Sequence, residues 1–215
     1  DFLARCPNLL AVSSMGAGFD PVDVAACSAA GVIVVNQAGG NAEAVAEHAL
    51  GFMLGLSKRI GETDQFMRAR DGIGRNDFIG SNIQGKTVGI IGLGHVGRRM
   101  AELCGTLFGM RVLAYDPYIE AKDFDERKAT STPLDELLAA SDFVTVHCPR
   151  NDETLNFINA STFKKMKPGA FFVNTARGGI HDEAALFAAL DSGHLGGAGI
   201  DVWAVEPPSK DHPLL

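Results

Sequence analysis

Three glycines in the run Thr87-Val88-Gly89-Ile90-Ile91-Gly92-Leu93-Gly94-His95-Val96-Gly97 stand at the spacing G-x-G-x-x-G, closing an apolar stretch and opening an amphipathic one. Each glycine meets a separate need. Gly92 allows a tight turn, Gly94 lets backbone approach a pyrophosphate, and Gly97 lets a helix pack closely on a strand. The free N–H groups and positive dipole end at His95 and Val96 would then face the phosphates. Such a site calls for an acid about twenty residues later, at the end of the next strand, to take ribose hydroxyls. Asp116, in Tyr115-Asp116-Pro117, stands there. Arg177 follows another apolar run, in Asn174-Thr175-Ala176-Arg177-Gly178-Gly179. At a strand end, a guanidinium can grip a carboxylate in bidentate fashion and polarise a neighbouring carbonyl; a surface arginine closing a loop would look the same. Asp201 and Glu206 follow the last apolar run, where solvated acids are also common.

The six histidines divide by position. His95 would meet the phosphates by its backbone, and His147 ends a strand at the ligand edge. His48, His181 and His194 sit in or beside helices, as structural or solvated residues do. Neither a Ser-His-Asp order nor a metal-ligand spacing emerges, so hydrolase and metal chemistry have no support.

These residues need a scaffold that brings strand ends together. Near-continuous apolar runs predict strands at 87–91, 111–115, 143–147, 170–174 and 199–201, with helices at 96–108, 134–140, 160–165 and 182–192 between them. Strict alternation of this kind predicts a doubly wound parallel α/β sheet covered on both faces. Upstream, a strand at 9–13, a helix at 22–30 and a strand at 32–36 make one β-α-β step, too little for a domain alone. Asn41 is a plausible N-cap for one long helix reaching about Arg70, with apolar residues recurring every three or four positions. A helix of that length usually bridges two bodies. Its Gly51 and Gly55 are at close-packing spacing, with apolar Phe52 and Met53 beside them, which suits a dimer contact. A loop is expected over 72–77.

Composition narrows the class. Of 215 residues, 46% are hydrophobic, enough for a packed core, and 19 Lys+Arg against 26 Asp+Glu leave a net charge of −7. With no basic run, binding to nucleic acid or an anionic membrane is disfavoured, and no apolar stretch approaches the ~18 residues of a spanning helix. Cys6, Cys27, Cys104 and Cys148 are scattered, as reduced thiols of a cytoplasmic protein are. The first residue is Asp1 and the chain stops at Pro213-Leu214-Leu215, so the segment is expected to be the middle of a longer protein.

The segments GKTVGIIGLGHVG, HCP with ET beyond it, MKPGAFFVNTARGG and GAGIDVWAVEPP, in this order, resemble the NAD-dependent D-2-hydroxyacid dehydrogenase family. Residues 14–20 and 39–48 resemble it as well, so the likeness covers essentially the whole chain, nearest to the phosphoglycerate and the hydroxypyruvate or glyoxylate reductase branches. The resemblance implies a Rossmann-type NAD-binding domain over 41–215, including an interdomain helix at 41–70, and part of a flavodoxin-like substrate domain over 1–40. It implies hydride transfer between nicotinamide and a small D-2-hydroxy or 2-keto acid in a cytoplasmic homodimer. Arg177 would bind the substrate carboxylate and carbonyl, and the Gly16 and Ala17 amides would complete that pocket. Glu206 would raise the pKa of a catalytic His. Asp201 would touch the nicotinamide amide and Asp116 the ribose, while Cys148, Thr175 and Ala176 would line the cofactor by backbone. The alternatives are a non-catalytic NAD-sensing, corepressor-like module and a formate- or phosphite-oxidising relative.

Departures from the family pattern concern both ends and three residues. The family's first strands and C-terminal tail are absent, and its catalytic His lies in a Pro-His step beyond residue 215. His212 matches a non-catalytic position. Met15 and Ala17 stand where residues vary with substrate, and Gln37 where many members carry Thr.

Overall fold

The computed structural model describes residues 2–215 apart from Arg70 and Ile73. The expected helix end at Arg70, Ile73 of the expected loop, and Asp1 therefore lie outside the described residues. The chain divides into two compact units, Asp1–Ala44 and Val45–Leu215.

The first unit is small. Strand β1 (Ala11–Ser13) pairs in parallel with β2 (Ile33–Val35), joined by helix α1 (Val24–Ala29). A 3₁₀ turn at Leu3–Arg5, not expected from the sequence, precedes them. The Asp23 side chain caps α1 by accepting from the Ala26 N–H at 2.8 Å, satisfying one orphan donor of the first turn. Beyond β1 the chain turns through Ser14–Gly18, fastened by Ser14 Oγ donating to the Gly18 carbonyl. The Gln37 N–H donates to the Gly16 carbonyl at 2.9 Å and Asn36 Nδ2 to the Ala17 carbonyl at 2.7 Å.

The boundary between the units falls in the first turn of α2 (Ala42–Ser57), and α3 (Ile60–Ala69) follows. The single long helix read from the sequence is thus two. Arg59 takes left-handed dihedrals (φ 55°), and the Ser57 carbonyl accepts from the Ser81 N–H at 2.7 Å. Arg59 is held in its turn by Glu62, whose carboxylate accepts from Nε at 2.6 Å, and its guanidinium lies 4.9 Å from the Phe78 ring centre.

The rest is strict alternation: β3 (Thr87–Ile91), α4 (His95–Phe108), β4 (Arg111–Tyr115), α5 (Asp123–Glu126), β5 (Thr130–Ser131), α6 (Leu134–Ala140), β6 (Phe143–Val146), α7 (Ala160–Lys165), β7 (Phe171–Asn174), α8 (Glu183–Asp191) and β8 (Gly197–Ile200). All six strands are parallel, in the order β5-β4-β3-β6-β7-β8. This is a doubly wound sheet that reverses direction between β3 and β6, and ligands bind at the carboxyl ends of strands beside such a switch point. Period-two side chains explain the two covered faces. Val88 and Ile90 pack with Met53, Met100 and Cys104 on one face, while Ile91, Val144 and Val146 pack with Leu137, Leu138 and Phe163 on the other. The last strand begins two residues and ends one residue earlier than expected. A Cβ on its Gly199 would come within 2.6 Å of Phe52 Cβ, so glycine there is the condition for α2 to lie close against the sheet.

Candidate functional site

The loop after β3 has the geometry its spacing predicts. Gly92 has φ 91°, and a Cβ there would lie 2.7 Å from the Cys148 backbone nitrogen, so any side chain would push β3 and β6 apart at the switch point. A Cβ on Gly97 would land on the Gly92 carbonyl oxygen. Gly94, the N-cap of α4, has open space where a Cβ would stand. His95 and Val96 are the first two residues of α4, so their N–H groups have no acceptor within the helix. His95 is exposed, Val96 half-buried. Together these make a cradle of backbone donors with room for an anion.

Asp116, half-buried at the end of β4, ties this loop down. Its carboxylate accepts from the Leu93 N–H at 2.9 Å and the Tyr118 N–H at 3.0 Å. Arg127 Nη1 donates to the Leu93 carbonyl at 2.6 Å from the other side. Beside the cradle lies a pocket of about 250 Å³ lined by Gly92, Asp116, Tyr118, His147, Pro149 and Glu153. The Tyr118 hydroxyl donates to the Glu153 carboxylate, and this bond raises the phenol's pKa. His147 Nε2 lies 2.9 Å from Thr145 Oγ1, and burial pushes its pKa down to about 3, so the ring is neutral at ordinary pH. Burial likewise lifts the Cys148 thiol to about 11, so it stays protonated at ordinary pH. Apolar walls and two carboxylates suit a planar base with a hydroxyl-bearing sugar and oppose a further phosphate.

Two strands along, at the end of β7, the loop carrying Arg177 is organised by a residue absent from the candidates above. Asn174 is fully buried; its Oδ1 accepts from the Ala176 N–H at 2.9 Å, and its Nδ2 donates to the Arg177 carbonyl at 3.1 Å. A polar residue closing an apolar strand, followed by a small-residue loop, was the available signal. Thr175 is buried, and among the described residues its hydroxyl has no hydrogen-bond partner. Arg177 is half-buried, with Nη1 donating to the Ala176 carbonyl at 2.6 Å. A Cβ on Gly178 would overlap the Trp203 carbonyl and come within 2.7 Å of the Ala204 nitrogen. The Arg177 loop therefore presses directly on the loop after β8. There the Trp203 N–H donates to Glu206 Oε1 at 3.0 Å, and Asp201 sits 3.3 Å from His48 Nε2 on α2.

Within the second unit, then, Gly92, Gly94, His95, Val96, Gly97, Asp116 and Cys148 gather around β3, β4 and β6, and Thr175, Ala176, Arg177, Asp201 and Glu206 lie past the carboxyl ends of β7 and β8. Gly16 and Ala17 belong to the first unit. No three potential metal ligands cluster among the described residues. The open cradle at Gly94, the adjoining pocket and the unpartnered Thr175 hydroxyl fit a dinucleotide laid across the switch point.

Residues 50–215 match the family model described as D-isomer specific 2-hydroxyacid dehydrogenase, NAD binding domain. The whole chain is 43% identical over 215 residues to a D-3-phosphoglycerate dehydrogenase of Archaeoglobus fulgidus and 44% identical over 215 residues to one of Mycobacterium leprae. In each case it spans 40% of the relative's length. Among solved structures, a D-lactate dehydrogenase from Aquifex aeolicus complexed with NAD and lactic acid superposes with a TM-score of 0.84 at 32% identity, covering 99% of this chain and 66% of that one.

Proposed function

The chain belongs to the D-isomer-specific 2-hydroxyacid dehydrogenase family, and from that premise we propose that the full-length protein is an NAD-dependent oxidoreductase interconverting a small 2-keto acid and its D-2-hydroxy acid. The observation that carries the reading is the glycine cradle and Asp116 at the same sheet edge as Arg177 and Glu206. When bound, the dinucleotide supplies the hydride. Gly92, Gly94, Gly97 and the amides of His95 and Val96 would hold its pyrophosphate, Asp116 the ribose, and the backbone of Cys148, Thr175 and Ala176 its flank. Asp201 would meet the nicotinamide amide. Arg177 would orient the acid and stabilise negative charge growing on the carbonyl oxygen, and Glu206 would keep a partner histidine protonated. Gly16 and Ala17 would complete the carboxylate pocket, with residues 1–40 as part of the substrate domain and 41–215 as the nucleotide domain.

The test is NADH-dependent reduction of a panel including glyoxylate, hydroxypyruvate and 3-phosphohydroxypyruvate by the full-length protein. Reduction of at least one is expected, and turnover of none overturns the reading. The same assay reads cofactor choice. A 2′-phosphate about 4 Å from Asp116 at an effective dielectric of 20 would cost about 4 kcal/mol, and half of that still exceeds tenfold. Glu153 adds a second negative charge to the same pocket. NADH is therefore expected to outperform NADPH by at least about tenfold in kcat/KM, with Asp116→Asn narrowing the ratio. Equal efficiency would refute it.

A homodimer in a reducing, cytoplasmic setting completes the proposal. Met53 is buried in its own core. Half-buried Phe52 lies against Gly199 and also lines an open groove with Gly51, Gly55, Arg59, Glu62 and Ile79. Sedimentation of the full-length protein at micromolar concentration is expected to show a dimer; a monomer would reject this. The four cysteines are free, as a reducing compartment keeps them.

A further inference from the structure

His181 plays no part in the scheme above, yet its placement is costly. It is buried to 1% exposure just past Gly178-Gly179, bridged in parallel register to Ile158 and 5.6 Å from the Phe172 ring centre. Among the described residues its Nε2 has no hydrogen-bond partner, and its Nδ1 lies 2.9 Å from Asn174 Nδ2. The tautomer follows from the neighbours. Asn174 Oδ1 is committed to the Ala176 N–H, so Nδ2 is the donor and His181 Nδ1 must accept. The ring proton is then the unpartnered one on Nε2. Burial holds the ring below its ordinary pKa against the opposing pull of Asp182 and Glu183, which keeps it in this neutral form.

An apolar side chain at position 181 would avoid an orphaned buried N–H, a group expensive to leave unpaired. What the imidazole contributes in return is an acceptor. Asn174 Nδ2 has two protons, one given to the Arg177 carbonyl and the other to His181. With both engaged and Oδ1 on Ala176, the amide has one orientation. A rotation by 180° would set Oδ1 against the Arg177 carbonyl and Nδ2 against the Ala176 N–H. We propose that His181 is a positioning residue for Arg177: by accepting from Asn174 it locks the amide that holds the backbone of Ala176 and Arg177. This rests on the reading of Arg177 as the substrate-binding cation. The test therefore has one arm that needs no activity.

In the full-length protein, His181→Leu removes the acceptor and keeps apolar bulk, whereas His181→Asn restores an acceptor, its Oδ1 standing where Nδ1 stood. The first arm is amide hydrogen exchange. Protection of the Ala176 N–H is expected to fall at least about tenfold in His181→Leu and to return in His181→Asn. The second arm is kinetic. For the best 2-keto acid, kcat/KM is expected to drop about tenfold in His181→Leu, with a higher KM for the acid and an unchanged KM for NADH, and to recover to within about threefold in His181→Asn. If His181→Leu does not fold, His181→Met makes the same deletion. Equal damage by Leu and Asn, or unchanged exchange and kinetics with Leu, overturns the proposal. Should Arg177→Ala leave turnover intact, it is the assignment of Arg177 that fails, and the exchange arm alone decides the role of His181.

Discussion

Arg177→Lys in the full-length protein is expected to lower kcat/KM for 2-keto acid reduction by about two to three orders of magnitude, while NADH affinity stays within about twofold. The size follows from what a guanidinium does that an ammonium cannot. Its planar fork can grip a carboxylate with two parallel bonds and still direct an N–H at the neighbouring carbonyl oxygen, whereas lysine offers one compact charge on a flexible stem. An interaction that strengthens as the oxygen gains charge lowers the barrier, so kcat should suffer along with KM. The fold gives this side chain a fixed base. Its own carbonyl is held by buried Asn174, and the next residue, Gly178, leaves no space against Trp203 and Ala204. Lysine would keep the backbone and lose the fork, so the variant should fold and bind NADH normally. Near-normal steady-state kinetics would return Arg177 to the role of a surface residue closing a loop.

How much of this was legible depends on how local the cause was. Strands β3 and β4 coincide with their expected limits, because buried parallel strands announce themselves as unbroken apolar runs between helix signals. The glycine cradle was legible for a similar reason, since each glycine answers a nearby backbone need. The break between α2 and α3 was not, because the apolar period runs on from Leu56 to Ile60 and the interrupting bond comes from Ser81, far along the chain. Strand β5 is two polar residues long, Thr130 and Ser131, and derives its pairing from Leu113 and Ala114 rather than from any pattern of its own. In the sequence, Asn174 is one residue of the segment 174–179 with no function of its own. Its role exists only once Ala176, Arg177 and His181 are brought around one side-chain amide. The same holds for Gly178, whose lack of a side chain matters because a loop from another strand lies on it.

The 215-residue chain alone is expected to bind NADH weakly and to reduce no 2-keto acid at more than about one hundredth of the full-length rate. Reduction needs a proton donor beside the carbonyl oxygen, a contribution typically of about 10²–10⁴-fold, and none of the six histidines present is placed to serve Glu206. His147 is neutral with its pKa near 3, so it has no proton to give at ordinary pH, and His181 is neutral and buried. His95 opens α4 at the cradle, and His194 Nε2 is engaged 3.0 Å from the Phe163 carbonyl. Two rivals remain, and each already has a carboxylate other than Glu206. His48 Nε2 lies 3.3 Å from Asp201, and His212 Nε2 lies 3.1 Å from Glu183, with its Nδ1 accepting from the Leu214 N–H at 3.3 Å and its ring edge-on to Trp203. The Glu206 carboxylate meanwhile accepts from the Trp203 N–H through Oε1, which leaves its second oxygen open to a donor histidine. In the full-length protein, His212→Ala and His48→Gln are each expected to keep kcat within about tenfold of the parent. Glu206→Gln is expected to shift the alkaline limb of the kcat/KM profile for reduction to lower pH, because the lost negative charge would no longer hold the donor's pKa up. Abolition of turnover by either histidine variant, with NADH binding intact, would identify that residue as the acid. Full-length rates from the 215-residue chain would show that the donor lies within it.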